Sequence, residues 1–189
     1  MKNKWNIIPV LFGFILASAL FFSSCEEDDN KKEWGYSLIY MPQASILNGG
    51  LVNNDYPVPL NNNAATKNYE LDETGKILKI YLGVYRAGLE KLESYSVQIA
   101  VDAAATAAAA TASNRVVLPE GSYTLPAQIT VPKGEREANF LLTVDLNKLD
   151  ESYATRRIVL VVGISNPTRY ELNEDLSKTT VVIDGSVFL

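Results

Sequence analysis

The sequence predicts an all-β protein: an antiparallel, immunoglobulin-like β-sandwich of about seven to nine strands. Three observations predict it. The stretch from Lys76 to Arg86 alternates strictly, with Leu78, Ile80, Leu82 and Val84 on one face and Lys79, Tyr81, Gly83 and Tyr85 on the other. Such a period marks a strand with one face in the core and one in water. Short apolar runs then recur between clusters of Gly, Pro, Asn and Asp, and no long segment carries the 3.6-residue period of a helix. A small barrel is the alternative architecture. The Cys, Trp and Cys of antibody domains are missing, so the comparison with them is architectural.

The elements follow in order. Tyr36 to Met41 reads as a first strand, ended by Pro42. Ser45 to Val58 is mixed, with turn signals at Asn48-Gly49-Gly50 and Asn53-Asn54-Asp55, and Pro57 and Pro59 confine any strand here to an edge. Asn61-Asn62-Asn63 is a loop. After the Lys76 to Arg86 strand, Tyr95 to Val101 repeats the alternation with Val97, Ile99 and Val101 inward. Asp102 to Ser113 is alanine-rich and reads as a loop with at most one helical turn, because isolated helices under about 12 to 15 residues are marginal in water. Short strands at Val116–Leu118, Ser122–Leu125 and Gln128–Val131 lead to the turn Pro132-Lys133-Gly134-Glu135. Glu137 to Leu146 is a long strand with Ala138, Phe140, Leu142, Val144 and Leu146 on one face. Arg157 to Ile164 is almost wholly apolar and therefore central in its sheet, buried on both faces. Tyr170–Leu172 and Lys178–Ile183 close the fold, before the turn at Asp184-Gly185.

Ahead of this domain lies an address. Lys2 and Lys4 precede an apolar segment from Trp5 to Phe22, and Ser23 and Ser24 lead into Cys25, the only cysteine. The pattern is a secretory signal covering residues 1–24 with a lipoprotein cleavage site, which leaves Cys25 as an acylated first residue. One acyl chain holds a membrane weakly, whereas two or three anchor a protein stably. An uncleaved membrane span, or secretion with a leftover cysteine, are the alternatives. Phe22 stands where most such sites carry Leu. Glu26, Glu27, Asp28 and Asp29 follow, within a charged tether over residues 25–35 that keeps the domain, residues 36–189, off its anchor.

Composition narrows the function. The leader holds two of the 17 basic residues, so the mature chain sets 15 against 22 acids. That balance disfavours nucleic acid, whose phosphates need clustered Lys and Arg. Histidine is absent, which removes Ser-His-Asp and Cys-His catalysis and His-based zinc sites. With its cysteine given to lipid, the domain must hold together without a disulfide. Asp145-Leu146-Asn147-Lys148-Leu149-Asp150 opens like a calcium loop but has Leu at the fifth position and no Gly at the sixth. Glu174 and Asp175 read as an acidic turn. No pair of carboxylates stands out for glycoside hydrolysis, and no cofactor is expected.

Two resemblances add to this reading. The acidic run after Cys25 resembles the export signal that sends lipoproteins of the Bacteroidota to the cell surface. Val117-Leu118-Pro119, Ser122-Tyr123-Thr124-Leu125-Pro126, Ile129-Thr130-Val131-Pro132-Lys133-Gly134-Glu135, Phe140 and Val144-Asp145-Leu146 resemble the domain of unknown function 1735. Leu82-Gly83-Val84-Tyr85-Arg86-Ala87-Gly88-Leu89 and Tyr95-Ser96-Val97 belong to the same pattern, which runs from about Ser37 to Asp184. The resemblance implies a β-sandwich on the cell surface, encoded beside polysaccharide-utilisation systems and often followed by a second, carbohydrate-binding-like domain. No functional residue beyond Cys25 transfers with it.

The expected function is therefore a non-catalytic, lipid-anchored outer-membrane protein facing the exterior and taking part in glycan binding or capture. Tyr81 and Tyr85, on one outward strand face, are the candidate sugar-stacking residues; covering the sheet surface is their alternative role. A structural or adhesive module that binds an outer-membrane protein is the second expectation, and an enzyme the third.

Overall fold

The computed structural model describes residues 37–45, 47–48, 51–52, 55–60 and 67–189. The leader, Cys25 and the acidic residues Glu26, Glu27, Asp28 and Asp29 lie outside them. In chain order the strands begin with β1 (Leu38–Tyr40), β2 (Leu47–Asn48), β3 (Leu51–Val52), β4 (Asp55–Val58), β5 (Tyr69–Asp72), β6 (Ile77–Arg86) and β7 (Tyr95–Val101). Helix α1 (Ala103–Ala112) follows, then β8 (Val116–Val117), β9 (Tyr123–Thr124), β10 (Gln128–Val131) and β11 (Glu137–Asp145). The chain ends with β12 (Arg157–Ser165), β13 (Glu171–Leu172), β14 (Lys178–Asp184) and the single turn of α2 (Gly185–Phe188).

Two sheets form the sandwich. The first runs β13-β1-β6-β11-β9, with β5 also paired to β6; the second runs β10-β7-β12-β14-β4, with β8 also paired to β12. The long strands pair antiparallel, β6 with β11 over nine residues and β12 with β14 over seven. Three short segments add parallel: β13 on β1, β8 on β12 and β4 on β14. The segments beyond the strands legible in the sequence are two to four residues long, too short to show a period.

The core follows from alternation. Leu78, Ile80, Leu82 and Val84 of β6 and Phe140, Leu142 and Val144 of β11 meet Ile158, Leu160, Val162 and Ile164 of β12 and Val181 and Ile183 of β14. Burying each such side chain contributes about 1.5–3 kcal/mol. On β12 the outward residues Val159 and Val161 are buried too, as the apolar run Arg157–Ile164 predicts.

What buries them is α1, which corrects the expectation of a loop at Asp102–Ser113. The Asp102 carboxylate caps the helix by accepting from Ala105 N–H at 2.9 Å. Thr106 and Ala110 are its buried residues. Docking supplies what an isolated ten-residue helix lacks, and alanine is small enough to let the helix lie close to the sheet.

Each sheet has an interruption that a side chain closes. Along β6, β5 reaches Ile80 and β1 begins at Tyr85. In the gap, Gly83 N–H donates to Gln43 Oε1 at 3.2 Å from the short 3-10 turn Pro42–Ser45. Along β12, β7 ends at the partner of Val162 and β8 begins at the partner of Val159. There Val161 N–H donates to Thr106 Oγ1 at 2.9 Å. Both oxygens satisfy a strand donor that no neighbouring strand reaches.

Candidate functional site

The two outer faces differ. That of the second sheet carries α1 and, beside it, a two-toothed ion pair from Arg115 to Asp55 at 2.6 and 3.2 Å. That of the first sheet carries no helix among the described residues. Here the outward residues of β6 line up with those of its neighbours: Tyr85 is opposite Tyr40 and Glu137, Gly83 opposite Asn139, Tyr81 opposite Leu141, and Lys79 opposite Glu70 and Thr143.

Tyr81 and Tyr85 thus sit where alternation places them, on one face. Their Cα atoms are about 13 Å apart, four strand residues at about 3.3 Å each. The rings of Tyr40 and Tyr85 pack at a tilt, 5.4 Å between centroids. Burial, and then the neighbouring Tyr85, raise the Tyr40 phenol above its ordinary value. Tyr81 is 41% exposed and Leu141 is 37% exposed. The face therefore has a firm aromatic end at Tyr40 and Tyr85, and a more open apolar end at Tyr81 and Leu141.

Between the two ends lie amides. An added Cβ on Gly83 would come within 2.7 Å of Asn139 Oδ1, so the Asn139 amide occupies the space a larger residue would fill. Gln43 is fixed by its bond to Gly83 N–H. Because that partner is a donor, the Gln43 atom facing it is the oxygen, and its NH2 group points away from the backbone. Tyr40, Gln43, Asn139 and Leu141 were not singled out in the sequence. Leu141 and Asn139 were legible as the outward half of the Glu137–Leu146 alternation, whereas Gln43 follows Pro42 in a turn and gave no signal.

The charges around this face are chiefly acidic. Glu70, Asp72, Glu137 and Glu171 are exposed, and the Lys79 ammonium is paired with Glu70 at 3.2 Å.

The other candidate residues hold local structure. Asp145 accepts from Asn147 N–H at 3.2 Å and Asp150 from Ser152 N–H at 2.8 Å, each starting a 3-10 turn. The bonds to Ser152 hold the Asp150 carboxyl below its ordinary range. Glu174 and Asp175 begin the 3-10 turn Glu174–Leu176. Among the described residues no three acidic, His or Cys side chains converge as metal ligands. A cleft of about 320 Å³ at one end of the sandwich is lined by Pro57, Pro59, Leu60, Arg157, Asp184 and Val187. Its Asp184 carboxylate caps α2, accepting from Ser186 N–H and Oγ.

A sandwich of this topology, with the family motifs at its strand ends, can now be compared with known proteins. A family model described as an N-terminal domain matches residues 39–171. The chain belongs to this family, the domain of unknown function 1735. Val117–Leu146, which carries the resemblance, forms β8 to β11 of the family domain. Among solved structures, a Bacteroides ovatus protein of unknown function matches at 15% identity and TM-score 0.52, over 79% of this chain and 46% of its own. A Bacteroides ovatus protein provisionally described as carbohydrate-binding matches at 11% identity and TM-score 0.51, over 77% and 36%. A Bacteroides ovatus multidomain protein that includes domain of unknown function 1735 matches at 15% identity and TM-score 0.46, over 61% and 37%. The chain thus spans less than half the length of these structures. No curated protein matches it.

Proposed function

We propose that this protein is a non-catalytic lipoprotein of the outer membrane, facing the cell exterior, that binds glycan on the outer face of its first sheet. Cys25 carries the lipid, Glu26, Glu27, Asp28 and Asp29 direct export, and Tyr81 and Tyr85 are the stacking residues. The reading rests on one observation above all: among the described residues the first sheet presents exposed Tyr81 and Leu141 beside the half-buried ring pair of Tyr85 and Tyr40, where the second sheet carries a helix. Aromatic rings suit the apolar faces of sugars, since each offers a broad surface at little rotamer cost. The provisional description of one structural neighbour as carbohydrate-binding agrees with this.

A second reading, a module that pairs with a protein, is favoured by the edge of β11. Strand β9 meets it at Thr143 and Val144, and β6 takes its other side throughout. Among the described residues the stretch Glu137–Leu142 thus has one edge without a strand, suited to addition of an extended peptide.

Affinity electrophoresis of the chain from Glu26 onward, in gels cast with single polysaccharides, separates these readings. Retardation by a polysaccharide, lost in a variant carrying both Tyr81→Ala and Tyr85→Ala, is the expected result. No retardation by any polysaccharide, together with capture of an outer-membrane protein that Asn139→Pro or Leu141→Pro abolishes, would move the assignment to the second reading.

A further inference from the structure

The strip of this face between its aromatic ends is built from unusual parts, and they point to the kind of glycan it takes. We propose that Asn139, lying over Gly83 between Tyr81 and Tyr85, and Gln43, beside Gly83 in the strand gap, form the hydroxyl-reading floor of a subsite for a neutral, unsulfated glycan; this rests on the glycan-binding reading above.

The first support is unused hydrogen-bonding capacity. Gln43 Oε1 is committed to Gly83 N–H, which leaves its NH2 group with two donors that no described residue takes up. The Asn139 side chain makes no hydrogen bond with any described residue, and it lies exposed on the same row of the sheet. Together the two amides offer donors and an acceptor, and sugar hydroxyls are both donors and acceptors. An amide that already fills the space above a glycine is held from below, so less freedom is lost when a ligand binds.

The second support is shape. Gly83 is the one position on the outward face of β6 without a side chain, and it stands midway between Tyr81 and Tyr85. The interval of about 13 Å between those residues lets a sugar residue lie over the amides, with its neighbours along the chain reaching either aromatic end.

The third support is charge. Exposed Glu70, Asp72, Glu137 and Glu171 surround the strip, and Lys79, which stands opposite Glu70, is paired with it. A uronate or sulfate brought here would meet mostly like charge, whereas a neutral chain meets no such penalty.

The test uses the chain from Glu26 onward and measures affinity for a panel of neutral, uronate-containing and sulfated polysaccharides. The variants are Asn139→Ala, Gly83→Ala and the pair Tyr81→Ala with Tyr85→Ala. Gly83→Ala keeps the strand, because the atom in its way is the end of a flexible side chain, but it pushes the Asn139 amide aside. Neutral polysaccharides are expected to bind, with affinity falling roughly tenfold in Asn139→Ala and Gly83→Ala, about the net worth of one hydrogen bond. Full binding by both variants, with loss in the tyrosine pair, would overturn the amide floor while leaving glycan binding standing. Preference for uronate or sulfated chains would overturn the neutral assignment. Binding of no polysaccharide by the unaltered chain would sink the parent reading and this one with it.

Discussion

Arg86 shows how one residue can follow the strand pattern and contradict its chemistry. It continues the inward series Leu78, Ile80, Leu82, Val84 of β6, and it is fully buried. A buried guanidinium needs partners. It donates to Ser37 Oγ at 2.7 Å and to Glu90 O at 2.8 Å, and its carbon lies 4.7 Å from the Tyr170 ring centroid. Its Nε has no partner among the described residues. Tyr170 reaches this place through a left-handed backbone, φ 68°, and its hydroxyl donates to Lys91 O at 2.7 Å and accepts from Glu93 N–H at 3.0 Å. The cluster ties the first described residue to the Gly88 loop. Arg86→Ala is expected to cost about 3 kcal/mol in denaturant unfolding, since it leaves Ser37 buried and a cavity behind. Arg86→Met, which fills the space without a charge, should cost clearly less, and equal costs would show that the charge rather than the packing matters. The inward position was legible from alternation. The partners were not, because Ser37, Glu90 and Tyr170 come from separate parts of the chain.

At the scale of elements, the strands were legible and the helix was not. The alternation of β6, β7 and β11 and the continuous apolar run of β12 state both their secondary structure and which faces are covered. Helix α1 has almost no difference between its faces in sequence, since nearly every residue is alanine, so its docking depends on Thr106 meeting a donor that β7 and β8 leave open. Thr106→Val should cost about 1–3 kcal/mol, because Val161 N–H then stays buried without an acceptor. Its cap adds a pH dependence. The Ala105 amide, then Lys178 at 2.8 Å, hold the Asp102 carboxyl below its ordinary 3.8. A carboxyl lowered by folding stabilises the protein above its unfolded value and loses that contribution as pH falls through the folded one. Unfolding curves collected from neutral pH down past 3.8 should therefore show an acid-side loss that is smaller in Asp102→Ala. An identical acid limb in both proteins would remove Asp102 from the account.

For the molecule as a whole, the fold was written in the sequence and the site only partly. Tyr81 and Tyr85 were placed on one outward face by period alone. That the described residues put a helix on the other face and none on this one emerges only when the chain returns through α1 to β8. Tyr40 and Asn139 join the face through pairing across β1, β6 and β11, and Gln43 through its bond to Gly83, which no single stretch reveals. The address at the N-terminus is read from Cys25 and its flanks. Cys25→Ser is expected to abolish labelling by radioactive palmitate and leave an unprocessed form on gels, and unchanged labelling would contradict the anchor. Glycan binding on the first sheet turns most directly on where ligand meets the sandwich. Amide chemical shifts of the chain from Glu26 onward, followed by NMR as a retained oligosaccharide is added, would locate that contact. The largest changes are expected at Tyr81, Gly83, Tyr85, Asn139 and Leu141; changes confined to α1, or to the cleft at Arg157 and Asp184, would contradict binding on this face.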